Sequence, residues 1–198
     1  HCAQKGPARG QLAGMGIPPI RLAWNGLEGL GPAPRPLGRR TGLERRAEPP
    51  AQAMDAFLHQ PPPTSTTSTV AFIVWDNPPI IIGGGSYLDQ LATLAGARNV
   101  FHDVSTPSSQ VSLETIAARD PDWIAVLSDS AVTPAFAKRR EWRAVRAVRE
   151  GRFLLLRGSL FGRPGPRSGQ AVRELRALLQ RDGVGAQHAA PLPDGSRR

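Results

Sequence analysis

Four histidines, one cysteine, a glycine triplet and four tryptophans are the residues of this 198-residue chain best equipped for chemistry. His1, His59 and His188 fall in segments that read as linkers or loosely ordered ends. That leaves His102-Asp103, in a loop, as the one pair with acid–base capacity; an ordinary solvated histidine is the alternative. A hydrolase would also need a nucleophile, and no Gly-x-Ser-x-Gly elbow is present. Cys2 alone permits neither an internal disulfide nor a cysteine-based metal site, and no His-x-x-His or paired-carboxylate spacing appears. No resident cofactor is expected. Gly83-Gly84-Gly85-Ser86 has the composition of an anion cradle at a helix start, where bare amides and the helix dipole attract negative charge. It lacks the Lys-Ser/Thr of a P-loop and fails as Gly-x-Gly-x-x-Gly. It reads first as a structural turn and second as a seat for a ligand carboxylate or phosphate. Trp75 offers a flat indole that either stacks on a macrocycle or catecholate ring, or caps the core.

The elements that must position these residues run from Val70 onward. Val70-Ala71-Phe72-Ile73-Val74-Trp75 is short, β-branched and aromatic, as a strand covered on both faces should be. Asp76-Asn77-Pro78-Pro79 stops it, because proline cannot extend a central strand. Ser86 caps a helix that buries Leu88, Leu91, Ala92 and Ala95 and ends at Gly96. A polar loop follows, then a second helix from Ser112 through Ala118. Asp120-Pro121-Asp122 leads into a strand over Ile124 to Leu127. Pro134 to Val148 reads as a helix with Phe136, Trp142, Val145 and Val148 as apolar points, and Trp123 and Trp142 as packing residues. Phe153 to Leu156 is a third strand. Ser168 to Gln180 is an amphipathic helix with Val172, Leu175, Leu178 and Leu179 inward and Arg173, Arg176 and Arg181 outward. Strand, helix, helix and strand in this order form an α/β half-domain whose loops at the strand ends would seat a ligand.

Composition limits the alternatives. Hydrophobic residues make up 40% of the chain, while its 21 Gly and 20 Pro concentrate in residues 1–68 and 183–198. One well-packed domain with poorly packed ends follows, with 61–68 a Pro- and Thr-rich linker and 183–198 a disordered tail. The net charge of +9 comes from arginines grouped in 35–46, 138–152 and 157–181. Without aromatic interleaving or a helix-turn-helix or metal-finger pattern, these argue against nucleic acid as partner. No stretch reaches the roughly 20 apolar residues of a membrane span. No signal peptide is visible, and the opening His1 points to a piece of a longer protein.

Three segments resemble the C-terminal lobe of the periplasmic substrate-binding proteins of ABC importers, in the class whose two lobes are joined by a long helix and which serves cobalamin, haem and iron–siderophores. The first is the apolar strand ending in Trp75 and Asn77-Pro78-Pro79, then Gly83-Gly84-Gly85-Ser86 and a helix closing on Ala95-Gly96-Ala97-Arg98-Asn99-Val100-Phe101. The second is Gln110-Val111-Ser112-Leu113-Glu114 leading to Arg119-Asp120-Pro121-Asp122-Trp123-Ile124. The third is Ala147-Val148-Arg149-Glu150-Gly151-Arg152 followed by Phe161-Gly162-Arg163-Pro164-Gly165-Pro166-Arg167. More loosely, Gly14 to Leu22 resembles the last strand of the N-terminal lobe, and Leu37 to Glu48 with Ala51 to Leu58 the connecting helix.

The resemblance implies a three-layer half-domain over 69–182, a linker at 61–68, a broken connecting helix over 33–60 and an N-terminal-lobe remnant over 1–32. Pro49-Pro50 should kink that helix into two short pieces. It further implies capture of a metal chelate or corrinoid between two lobes, delivery to a membrane permease, no catalysis, a monomer, and a periplasmic or extracellular membrane-associated location. Trp75, Asn77, Leu160, Phe161 and Arg163 would contact ligand, with Arg163 pairing an anionic substituent. Asp89 would dock to permease arginines; alternatively it complements the helix dipole. Because each lobe supplies one wall, this chain alone should bind no tighter than about micromolar. The competing reading is a small α/β enzyme domain using Gly83–Ser86 and His102.

Overall fold

The computed structural model describes residues 7–16, 26–27, 29–30, 33–61, 68–130 and 132–181. The expected linker (apart from its two ends), the C-terminal tail and most of the Gly14–Leu22 strand lie outside the described residues. Within that stretch, Gly14 ends a short helix, α1 (Pro7–Gly14).

Two helices precede the sheet: α2 (Pro34–Thr41) and α3 (Glu44–Leu58). The break between them is at Gly42, which caps α2 with a left-handed φ of 69° and donates its amide to the Gly38 carbonyl. Pro49 and Pro50, where the kink was expected, sit inside α3. Each removes a backbone hydrogen bond, but tertiary contacts on both sides hold the helix. Arg35 binds Glu48, just before the prolines, through Nε and Nη2 at 3.2 and 3.1 Å, and Asp55, beyond them, through Nη1 at 2.9 Å. Ala51 and Met54 are buried between these anchors.

The sheet holds β1 (Thr69–Asp76), β2 (Pro79–Ile82), β3 (Arg98–Asn99), β4 (Ser108–Gln110), β5 (Trp123–Leu127) and β6 (Phe153–Leu156). Its order is β4-β2-β1-β5-β6, with β3 against the start of β1. β1, β5 and β6 are parallel, in register from Val70↔Trp123 to Ile73↔Val126 and from Ile124↔Phe153 to Leu127↔Leu156. The proline turn does not end the sheet there: Ile80-Ile81-Ile82 folds back antiparallel on β1 as β2. Only two residues, Asn77 and Pro78, join the strands, and their peptide bond is cis.

Alternation along the parallel strands builds two cores, one on each face. Val70, Phe72, Trp123, Ala125, Leu154 and Leu156 point to one side. There they meet α4 (Tyr87–Ala95) through Leu91 and α8 (Ser168–Arg181) through Leu175. Leu27, Leu30 and Met54 join this same core, so α3 packs on the sheet layer. Ala71, Ile73, Ile124 and Val126 point to the other side, against α5 (Leu113–Arg119) and the 134–149 segment. The architecture is therefore the expected three-layer α/β half-domain. Ser86 and Ser112 cap α4 and α5 by accepting the Asp89 and Thr115 amides, and Gly96 terminates α4, as anticipated.

The 134–149 segment departs from expectation. It is not one helix but two 3-10 turns, Ala135–Lys138 and Glu141–Ala144, and a single turn α6 (Arg146–Arg149). Trp142, Val145 and Val148 are all buried, although Trp142 lies in a 3-10 turn, Val145 is the extended residue after it and Val148 belongs to α6.

Where β1 and β5 begin, Thr69 and Asp122 clamp each other. The Thr69 amide and hydroxyl donate to Asp122 Oδ2 at 2.9 and 2.8 Å, and the Asp122 amide donates to Thr69 Oγ1 at 2.9 Å. Arg146 adds a 3.1 Å bond to Asp122 Oδ1. Burial pushes the Asp122 carboxyl pKa up, but Thr69 and Arg146 outweigh it and hold the group below its usual range. A depressed folded pKa means that this stabilisation is present above the unfolded value of about 3.9 and is lost as pH falls through the folded value. Asp122→Asn should therefore cost roughly 1–2 kcal/mol at pH 7 in urea unfolding, and the gap to wild type should close as the pH falls through the lowered folded value. An unchanged gap at low pH would remove Asp122 from the acid response.

Candidate functional site

The sheet divides the chemistry-bearing residues between opposite edges. β1, β5 and β6 all end at one edge, where ligands of open parallel sheets dock. Because β2 runs antiparallel to β1, the Gly83–Ser86 turn that follows it lies at the other edge, where β1 begins.

Trp75 stands at the first edge and is 58% exposed. Its indole Nε1 donates to the Asn77 carbonyl at 2.7 Å, so the ring is held against the turn that follows it. The pairing of β1 with β2 slips by one residue between Ile73 and Trp75, a bulge that places Val74 opposite no partner. Bulges re-aim side chains beside functional sites, and both Val74 and Trp75 are left exposed here. They line a cleft of about 500 Å³ whose opposite wall includes Leu127, Val132 and Arg139. Among the described residues eight large apolar side chains are exposed, and four of them (Val74, Trp75, Leu127 and Val132) line this cleft. Scattered exposed apolar residues need no explanation, but a cluster in a concavity marks an interaction site. Arg139 Nη2 meets Asp76 Oδ2 at 2.6 Å on the same rim. None of Val74, Leu127, Val132 or Arg139 carried a sequence signal, since each became a cleft residue only through strand ends and the 3-10 segment meeting.

The loop after β6 places the other expected contacts differently. Leu160 and Phe161 lie in the one-turn helix α7 (Gly158–Phe161) and are buried, 5% and 0% exposed, in the core that contains α8. Contrary to expectation, their side chains offer a ligand no surface; the turn inserts them beneath the sheet edge as packing. Arg163 follows, exposed, and lines a separate cavity of about 490 Å³ with Arg167 and Ser168. Trp75 and Asn77 are thus brought together, Arg163 stands at the same edge in another concavity, and Leu160 and Phe161 are withdrawn.

At the opposite edge Asp89 is 3% exposed. Its carboxylate accepts from the Gly85 amide at 3.2 Å and the Asn99 amide side chain at 3.1 Å, and lies 3.0 Å from His102 Nδ1. A buried carboxylate so engaged is not presented for docking; it ties the turn, β3 and the 102–107 loop together. The glycines are consumed in the same way. Gly83 and Gly84 donate their amides to the Pro107 and Val104 carbonyls, at 3.1 and 2.8 Å. With the Gly85 amide on Asp89, none of the three remains to cradle an anion. Close backbone approach requires glycine there: a Cβ on Gly84 would stand 1.9 Å from the His102 carbonyl oxygen. The Ser86 hydroxyl donates to the Gly83 carbonyl at 2.8 Å. His102 and Asp89 are therefore paired, but Ser86 is spent on the turn and the helix cap. Among the described residues no cluster of three His, Cys, Asp or Glu side chains could hold a metal ion.

A three-layer lobe with an aromatic-lined cleft at its strand ends defines a binding scaffold, and comparison with known proteins assigns it. The family model described as periplasmic binding protein matches residues 35–160. The chain belongs to this family. Solved structures share its fold. A possible iron-binding periplasmic solute-binding protein from Staphylococcus epidermidis is 21% identical with a TM-score of 0.75, over 90% of this chain and 74% of its own. The haem-binding protein RhuT from Roseiflexus is 19% identical with a TM-score of 0.73, over 93% and 74%. The vitamin B12 binding protein BtuF of Vibrio cholerae is 19% identical with a TM-score of 0.66, over 91% and 72%. A search of curated proteins finds no match. No helix among the described residues is long and apolar enough to cross a membrane.

Proposed function

We propose that this chain is the substrate-binding component of an ABC importer, and that it presents the Trp75 cleft to a flat metal chelate or corrinoid for delivery to a membrane permease. The observation that carries the reading is the convergence of Trp75, Val74, Leu127 and Val132 on one concavity at the strand ends. An indole fixed by its own N–H and flanked by aliphatic side chains suits the face of a macrocycle or catecholate ring. The names of the structural neighbours, which speak of iron, haem, vitamin B12 and Fe3+-hydroxamate, agree with a ligand of this class. Trp75 and the Asn77 carbonyl form the proposed contact. Arg163 is proposed for a substituent reaching the neighbouring cavity. The reading assigns no bond chemistry to the chain, and it places the protein outside the cytoplasmic membrane as a monomer.

Intrinsic fluorescence tests it, because Trp75 is exposed and its emission is isolated as the difference between wild type and Trp75→Ala, which share the other three tryptophans. Titration with haem, cyanocobalamin and a ferric siderophore should quench Trp75 emission with at least one of the three. In isothermal titration calorimetry, which needs no indole, Trp75→Ala should weaken that ligand about thirty-fold, the roughly 2 kcal/mol of a central aromatic anchor. Quenching by none of them, or an affinity that Trp75→Ala leaves unaltered, would remove the cleft from consideration. Replacing His102 should alter neither binding nor any turnover; a hydrolase or transferase activity lost with His102 would favour the enzyme reading.

A further inference from the structure

The Trp75 cleft carries charge at one place only. Among its lining residues Asp76 and Arg139 alone are charged, and they face each other at 2.6 Å with side chains 31% and 39% exposed. The other polar groups are hydroxyls: Thr133, and Ser128 with Ser130, whose Oγ atoms lie 3.0 Å apart. Asp76 closes β1 immediately after Trp75, while Arg139 ends the 3-10 turn on the opposite wall. The cleft therefore has polar and apolar surface but no net charge.

A ligand carboxylate entering this space could recruit Arg139 only by drawing it away from Asp76. That would leave the Asp76 carboxylate unpaired in a partly dry site beside a second negative charge. The pair is about one-third exposed, so the cost is a fraction of that for a fully buried charge, yet it opposes every carboxylate that would recruit Arg139. A neutral amide, ester or hydroxamate face meets no such penalty, because hydroxyls can serve it. Arg163 does not change this balance, as it lines the separate cavity beyond β6.

We infer that Asp76, by neutralising Arg139, sets the ligand specificity of this cleft: it admits a flat ligand whose face toward Trp75 bears no net negative charge and disfavours carboxylate-bearing equivalents. The inference rests on the cleft being the ligand site, as proposed above. Asp76 acts through Arg139 and is a positioning residue.

Two probes of one shape isolate charge: protoporphyrin IX, with two propionates, and its dimethyl ester, with none. Both are titrated against the full chain by quenching of Trp75. The ester is expected to bind about five-fold tighter than the acid, the upper end for a partly exposed ion pair. Greater hydrophobicity would also favour the ester, so the variants decide. Asp76→Asn keeps the side-chain size and frees Arg139; it should strengthen the acid about five-fold while shifting the ester by less than about two-fold. Arg139→Gln should move the ratio the other way. A wild type that prefers the acid, or a ratio that Asp76→Asn leaves in place, overturns the inference while the ligand site stands. If neither probe quenches Trp75, the cleft reading falls and the inference falls with it.

Discussion

Phe161→Ala should cost about 3–5 kcal/mol of stability and should act on folding before it acts on any ligand. Phe161 is completely buried. Its ring sits in the core that joins the sheet to α8, with Leu160, Leu156, Val172 and Leu175 in the same cluster. Deleting it removes the transfer free energy of the ring and leaves a cavity that α7, a single turn, is poorly placed to refill. The measurement is the urea midpoint of the variant beside Trp75→Ala. The second substitution should move the midpoint little, because Trp75 is 58% exposed and lies past the buried part of its strand. The two aromatic residues thus separate packing from binding. A Phe161→Ala protein of wild-type stability that had lost ligand quenching would return Phe161 to the cleft and contradict the burial described above.

Gly84→Ala should be nearly as damaging, for a different reason. The added methyl would stand 1.9 Å from the His102 carbonyl oxygen and 2.9 Å from its carbonyl carbon, both backbone atoms that cannot swing aside. The turn and the 102–107 loop would have to part, which threatens the Gly84 amide bond to Val104 and the Asp89–His102 contact. A loss of about 3 kcal/mol is expected, at the upper end for overpacked sites. Gly165→Ala is the control, since nothing lies within 4 Å of where the new Cβ would stand; it should change stability by no more than about 0.5 kcal/mol. Thermal or urea unfolding of the pair gives the comparison. Equal midpoints for the two variants would show that the turn yields freely, and that the triplet is not the close-packed joint described here. Because the turn lies at the edge opposite Trp75, Gly84→Ala protein that remains folded in the cold should still show ligand quenching.

Much of the fold was legible because it depends on local chemistry. Ser86 and Gly96 bracket α4, Ser112 caps α5, and the apolar stripe of α8 is buried where its spacing placed it, with Leu178 partly so. Arg176 was read as outward, yet it is part-buried and donates to the Leu94 carbonyl at 2.8 Å, a partner 82 residues away that periodicity cannot name. β2 was missed because a proline pair normally ends a strand, whereas here Asn77-Pro78 is the whole connection of a hairpin. The Pro49-Pro50 kink was displaced to Gly42 because Arg35 grips carboxylates on both sides of the prolines. For the site, Trp75 followed from its place at a strand end. Asp89 suits permease docking or the helix dipole by its place in the first helical turn, and that place says nothing of Asn99 and His102 closing over it.

The order of residues by itself determined the class of the protein: parallel strands alternating with capped helices, and an aromatic side chain at the tip of the first strand. These are short-range properties, set by which side chains β-structure and helices tolerate and by the caps that satisfy their end groups. Only the tertiary structure decided which residues face the ligand side. That choice depends on an antiparallel turn sending the glycine triplet to the far edge, on a one-residue bulge turning Val74 outward, and on a short 3-10 turn that ends with Arg139 against Asp76. Such outcomes come from strand pairing and packing between segments dozens of residues apart, and no single segment encodes them.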